Sequence, residues 1–112
     1  MPDLDLLRGT LDLLILKTLS WGPMHGLAVL RWIERTTGEQ LQIEEGALYP
    51  ALHRMEDKGW LEAEWGHTER GRRAKFYRLT PAGRRQLVAA LSKWAHYTEA
   101  VGLVIDAKGA RT

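Results

Sequence analysis

Residues 46–79, GALYPALHRMEDKGWLEAEWGHTERGRRAKFYRL, change their hydrophobic period midway, and that change decides the fold. Leu48, Ala51, Leu52 and Met55 recur at helical spacing, so one face of this segment is apolar. The spacing predicts a helix over residues 46–58, stopped by Gly59, with Pro50, His53, Arg54 and Asp57 on the opposite face and Tyr49 at its flank. Beyond Gly59 the pattern alternates. Leu61, Ala63 and Trp65 point one way and Glu62 and Glu64 the other, the signature of a half-buried strand. Residues 74–79 return antiparallel with Tyr77 and Leu79 facing in. The connection, residues 66–73, is longer than most hairpin loops, punctuated by glycine and rich in arginine. A long loop in so small a chain points to function.

Working outward, Thr10 is read as the N-cap of a first helix over residues 11–20, with Leu11, Leu14, Ile15 and Leu19 at helical spacing. Trp21-Gly22-Pro23 ends it. A second helix is expected over residues 24–37, burying Leu27, Leu30 and Ile33 and exposing Arg31, Glu34 and Arg35, with Gly38 past its end. Residues 41–43 are read as one short strand. On the other side of the hairpin, Thr80-Pro81 is an N-cap followed by proline at the first helical position, which opens a fourth helix running to about Ile105. Its Leu87, Leu91, Trp94, Thr98, Val101 and Ile105 alternate steps of four and three, the seam of a coiled coil with Thr98 its one polar member. About 25 helical residues span roughly 37 Å, more than the body ahead of them. Two readings follow: a seam shared with a second copy of the chain, or an amphipathic helix folded back on its own core. Residues 106–112 are expected to be a frayed polar tail.

The chain has 112 residues, 45% hydrophobic and 27% charged, the profile of one folded, soluble domain rather than a disordered or membrane-embedded chain. Zero cysteines exclude disulfides, thiolate metal sites and cysteine nucleophiles, and fit a reducing compartment. With no secretory or membrane segment in view, the expected location is cytoplasmic, with no membrane partner. The net charge is only +2, but residues 66–85 hold seven cations against Glu69, a net +6, while the remainder carries −4. So concentrated a patch favours a polyanion; its alternative is a solvated charge run.

Three helices, a hairpin with a basic tip and a long last helix are the order of a winged helix-turn-helix. The fold class is therefore mainly α with a small β-hairpin. Residues 1–80 would be the DNA-binding domain, and residues 81–112 the dimerisation helix and tail. In such a domain the third helix enters the major groove and the basic wing grips flanking phosphates or the minor groove. The run Gly46-Ala47-Leu48-Tyr49-Pro50-Ala51-Leu52-His53-Arg54-Met55-Glu56 with Gly59, then Gly71-Arg72, Tyr77-Arg78-Leu79-Thr80, Gly83 and His25-Gly26, resembles the signature of PadR-type transcriptional regulators. The arrangement is similar to that family's short subclass, which has a single C-terminal helix. The resemblance implies a homodimer whose C-terminal helices cross onto their partners, a repressor of inverted repeats, and a small-molecule effector at or near the dimer interface. It also implies that Gly46, Tyr49 and Pro50 approach DNA. Leu27 stands where the family usually has tyrosine, and Met55 where leucine is usual.

Candidate residues follow, each with its plainer reading. Tyr49 donates its hydroxyl to a phosphate, or leans its ring on the scaffold. His53 and Arg54 reach bases or phosphates, or Arg54 pairs with Glu56 or Asp57 at the surface. Arg70, Arg72, Arg73 and Lys75 contact the DNA backbone; an exposed arginine pair beside glycine has little packing purpose. Leu87, Leu91, Trp94, Thr98, Val101 and Ile105 form the dimer interface. Trp94 stacks a small apolar or aromatic effector, or simply packs. His25, His53, His67 and His96 lack metal-ligand spacing, so no metal is expected, and His25 is read as structural. No cofactor or catalytic constellation is written in the chain, which is not expected to be an enzyme. The competing function is a winged-helix protein-interaction module, which would show apolar anchors on the wing instead of seven cations.

Overall fold

The computed structural model describes residues 9–110. Residues 1–8 of the predicted DNA-binding span, and Arg111 and Thr112 of the predicted tail, lie outside the described residues. The elements are α1 (Thr10–Leu19), β1 (Met24–His25), α2 (Gly26–Thr36), α3 (Glu45–Asp57), β2 (Leu61–His67), β3 (Arg73–Leu79) and α4 (Pro81–Ile105). The expected winged helix and its long last helix are present. The hairpin gains a third strand, giving an antiparallel sheet in the order β1-β3-β2.

That third strand corrects two expectations. Met24 and His25 do not begin the second helix; they pair with Tyr77 and Phe76 of β3. The helix starts two residues later than expected, at Gly26, because His25 caps it, its Nδ1 accepting a hydrogen bond from the Ala28 amide at 3.3 Å. Residues 41–43 do not form a strand: Leu41 makes a single bridge, and Ile43 turns into the core. At the first helix Thr10 is already helical, and Gly9 holds the cap position instead.

The core is one cluster beneath the helices and the sheet. Ile15, Leu16 and Leu19 of α1 meet Val29, Leu30 and Ile33 of α2 and Leu48, Ala51, Leu52 and Met55 of α3, closed by Leu61, Tyr77, Leu79 and Leu87. Leu27 departs from its predicted place: Gly26 and Val29 fill the buried face of α2, and Leu27 is left half-exposed on the side toward the wing. Burial raises the pKa of the Tyr77 phenol, which stays neutral in the core.

The hairpin is longer, and its turn tighter, than expected. Leu61 faces Leu79, Ala63 faces Tyr77, and pairing continues to His67 and Arg73, so the turn is only residues 68–72. Thr68 closes it: its carbonyl accepts from Gly71 N–H at 2.8 Å, its amide donates to the Arg72 carbonyl at 2.8 Å, and its hydroxyl accepts from Arg72 N–H at 3.2 Å. Trp65 shares a sheet face with Leu61 and Ala63, as its alternation predicts, yet it is 57% exposed. The hairpin overhangs the body, and by Trp65 there is no core left beneath it.

The root of α4 is joined to the turn that follows α3. Thr80 accepts from Gly83 N–H at 3.0 Å as N-cap, donates its hydroxyl to the Gly59 carbonyl at 2.6 Å, and bonds through its amide to the Trp60 carbonyl. Such a cap contributes about 1 kcal/mol. Gly83 lies so close to this turn that a Cβ there would sit 2.0 Å from the Trp60 carbonyl oxygen. Of the predicted seam only Leu87 reaches the core; residues 91–101 of α4 are exposed throughout.

Candidate nucleic-acid interface

Gly46, Tyr49, Pro50, His53 and Arg54 all lie on the exposed side of α3, opposite Leu48, Ala51, Leu52 and Met55. Pro50 sits inside the helix, where it removes the amide that the Gly46 carbonyl would otherwise accept from; near an exposed helix start water supplies the replacement. Tyr49 leans its ring across the start of α2. A Cβ on Gly26 would stand 2.7 Å from the Tyr49 Cε1, so glycine at that position is what lets the ring lie there. The hydroxyl end of a side chain that is 43% exposed is thereby held at the junction of α2 and α3.

Two candidate cations are already engaged within the chain. Arg54 pairs with Asp12 of α1, rather than with Glu56 or Asp57. Lys75 donates to Glu56 of α3 at 3.0 Å. That hydrogen bond raises the lysine pKa above its ordinary value. Both pairs are partly exposed, where water and salt weaken them, so each is a modest bond that a phosphate can replace. Arg78, which carries part of the basic excess, is tied to Glu62 at 2.8 Å and Glu64 at 3.5 Å on the outer sheet face.

The wing tip differs. Among the described residues Arg70, Arg72 and Arg73 have no carboxylate partner, and all three are exposed. Arg73 lies over the Trp65 indole with its guanidinium carbon 4.4 Å from the ring centroid. Stacking restricts the arginine rotamers and leaves the donor edge free, so the charge is pre-positioned for an anion. The sequence does not reveal the stacking role of the indole, Asp12 as the partner of Arg54, the pairing of Glu56 with Lys75, or the cap by His25. Trp65 and Arg73 are diagonal neighbours in the hairpin register, so only that register reveals the stack.

On α4, Leu91, Trp94 and Val101 are 38–40% exposed and Ile105 more so, flanked by Val88, Tyr97, Leu103 and Val104. An apolar surface this extended on a charged chain marks an interaction site. Thr98 satisfies its hydroxyl within the helix, donating toward the Trp94 and Ala95 carbonyls at 3.1 Å, and so presents its methyl side without an unmet donor. The Trp94 and Tyr97 rings lie 6.4 Å apart, tilted by 31°. Among the described residues no group of His, Cys, Asp and Glu is placed to hold a metal, and no helix is long and apolar enough to cross a membrane.

Residues 15–89 match the transcriptional regulator PadR-like family. An uncharacterized protein of Lysinibacillus sphaericus is 31% identical over 102 residues, 91% of this chain and 94% of that one. A transcriptional regulator of Mycobacterium tuberculosis is 35% identical over 80 residues, 71% of each chain. The crystal structure of a PadR family transcriptional regulator from Eggerthella lenta superposes with a TM-score of 0.78 at 31% identity, covering 90% of this chain and 86% of that one.

Proposed function

The chain belongs to the PadR-like family of transcriptional regulators, and on that premise we propose that it is a cytoplasmic repressor, binding an inverted-repeat operator as a homodimer and released by a small-molecule effector. The observation that carries the DNA-binding part is that Arg70, Arg72 and Arg73 of the exposed wing have no carboxylate partner among the described residues, while α3 presents an exposed face of its own. In this reading α3 enters the major groove with Tyr49, His53 and Arg54 toward DNA, and Gly46 and Pro50 let the backbone approach. Arg70, Arg72 and Arg73 neutralise phosphates flanking the groove. Arg54 and Lys75 join by exchanging Asp12 and Glu56 for phosphates. Residues 1–80 do the reading and residues 81–112 the pairing, with Leu87 anchoring α4 to the body and Leu91, Trp94, Thr98, Val101 and Ile105 meeting the partner.

Selection from a pool of random duplexes is expected to return inverted repeats with half-site centres about 10 base pairs apart, one helical turn. Recovery of single asymmetric sites, or of no DNA at all, would overturn the proposal. For the effector, Trp94 with its neighbour Tyr97 offers a stacking surface at the seam. An aromatic ligand that changes DNA affinity is expected to quench tryptophan fluorescence in the wild type and not in Trp94→Leu. Equal quenching in both proteins would leave Trp94 a packing residue.

A further inference from the structure

Between α2 and the wing runs a groove of about 740 Å³, within the size range of small-ligand sites. Its apolar lining is Pro23, Met24, Leu27, Ala28 and Phe76. Leu27 occupies a position that helical spacing assigns to the core, yet here it lines this groove. Four arginines line it as well. Arg31 and Arg35 stand one turn apart on α2, and Arg70 and Arg72 come from the wing turn; none of the four pairs with a carboxylate among the described residues. Glu69 is the single acid in the lining, so the groove carries a surplus of three positive charges. His25 adds a donor: its Nδ1 accepts from the Ala28 amide, which leaves the proton on Nε2, while its ring edge packs on Phe76 at 5.4 Å.

We propose that this groove binds an organic anion with an apolar body, a carboxylate, sulfonate or phosphate ester on a ring system, and that the ligand competes with DNA for Arg70 and Arg72. The competition rests on the DNA-binding reading above; the ligand site itself does not. A phosphodiester backbone is polar along its length and would leave Met24, Leu27 and Phe76 unused. A ring-bearing anion covers them and places its charged end among guanidiniums that otherwise repel one another across one concavity. Once Arg70 and Arg72 hold the ligand they are lost to the phosphates, so the bound anion lowers DNA affinity without any change of fold. This site is separate from the seam around Trp94, and Arg31 and Arg35 take no part in the DNA contacts proposed above.

The probe is 8-anilinonaphthalene-1-sulfonate, titrated by its own fluorescence into the full chain without DNA, then into the complex with a selected duplex. The wild type is expected to bind it and to lose DNA affinity as it is added. Arg31→Ala/Arg35→Ala is expected to bind the probe about tenfold more weakly, keep its DNA affinity within about twofold, and no longer release DNA at the same probe concentration. The uncharged N-phenyl-1-naphthylamine should be indifferent to the arginine substitutions. Equal affinity of wild type and variant for the sulfonate overturns the proposal, as does an equal loss of the uncharged probe. A variant whose DNA binding weakens with a shallower salt dependence also overturns it, because the groove would then be part of the DNA path. Failure to bind any duplex would sink the competition, while the titration without DNA still decides the site.

Discussion

Leu91→Glu/Val101→Glu is expected to convert the proposed dimer to single chains at micromolar concentration, read as a halving of mass by light scattering. Both residues lie on the exposed stripe of α4, near 40% exposed in the isolated chain, and neither contributes to the core cluster. Charging them therefore removes the reason for association without opening a cavity in the body. Two facing pairs of carboxylates would bury like charge across a two-fold axis, a cost that apolar contact cannot offset. DNA binding should fall by about 10² to 10⁴, since two linked reading heads become two independent ones. If pairing is obligate, the variant unfolds instead, seen as loss of helical circular dichroism. A folded dimer of unchanged mass would show that this stripe is not the interface.

Arg72→Ala/Arg73→Ala is expected to weaken binding to every duplex by roughly thirtyfold near 0.15 M salt, and to reduce the slope of log affinity against log salt by about 2. The size follows from counterion release by two lost phosphate contacts. Arg73 adds to it because its stacking on Trp65 has already restricted the rotamers that binding must otherwise order. Sequence preference should not change, since in the proposed interface these residues reach the backbone rather than base edges. Affinity and slope both unchanged across several salt concentrations would remove the wing from the mechanism. Substitutions at His53 or Arg54, in contrast, are expected to alter the ranking of sites.

Why some of this was legible in the sequence and some was not comes down to range. The helix carrying Leu48, Ala51, Leu52 and Met55 and the helix opened by Thr80-Pro81 are local patterns, and their observed ends fall within one residue of the expected ones. β1 is two residues long, too short for any period, and exists because Tyr77 and Phe76 offer it an edge. Arg54 finds Asp12, 42 positions away, although Glu56 and Asp57 are nearer in sequence. Trp65 obeys its alternation but outruns the core, since alternation says which way a side chain points and not what lies there. The arginine tip was visible as composition; its division into paired and unpaired cations depends on where Asp12, Glu56, Glu62 and Glu64 come to rest.

The joint at Thr80 and Gly83 makes α4 a lever whose fulcrum is fastened to the turn that follows α3. With Gly83 pressed against the Trp60 carbonyl and Thr80 bonded to Gly59, the helix has little freedom to pivot independently of α3. Over about 37 Å, each degree of tilt at that fulcrum carries the far end through about 0.6 Å. The gearing also works in reverse: in the proposed dimer, a displacement of several ångströms between the two α4 tips reaches each α3 as a turn of only a few degrees. Substituting alanine for Gly83 would act as a wedge in that hinge, resetting the distance between the two α3 helices of the proposed dimer while leaving every proposed DNA-contact residue unchanged.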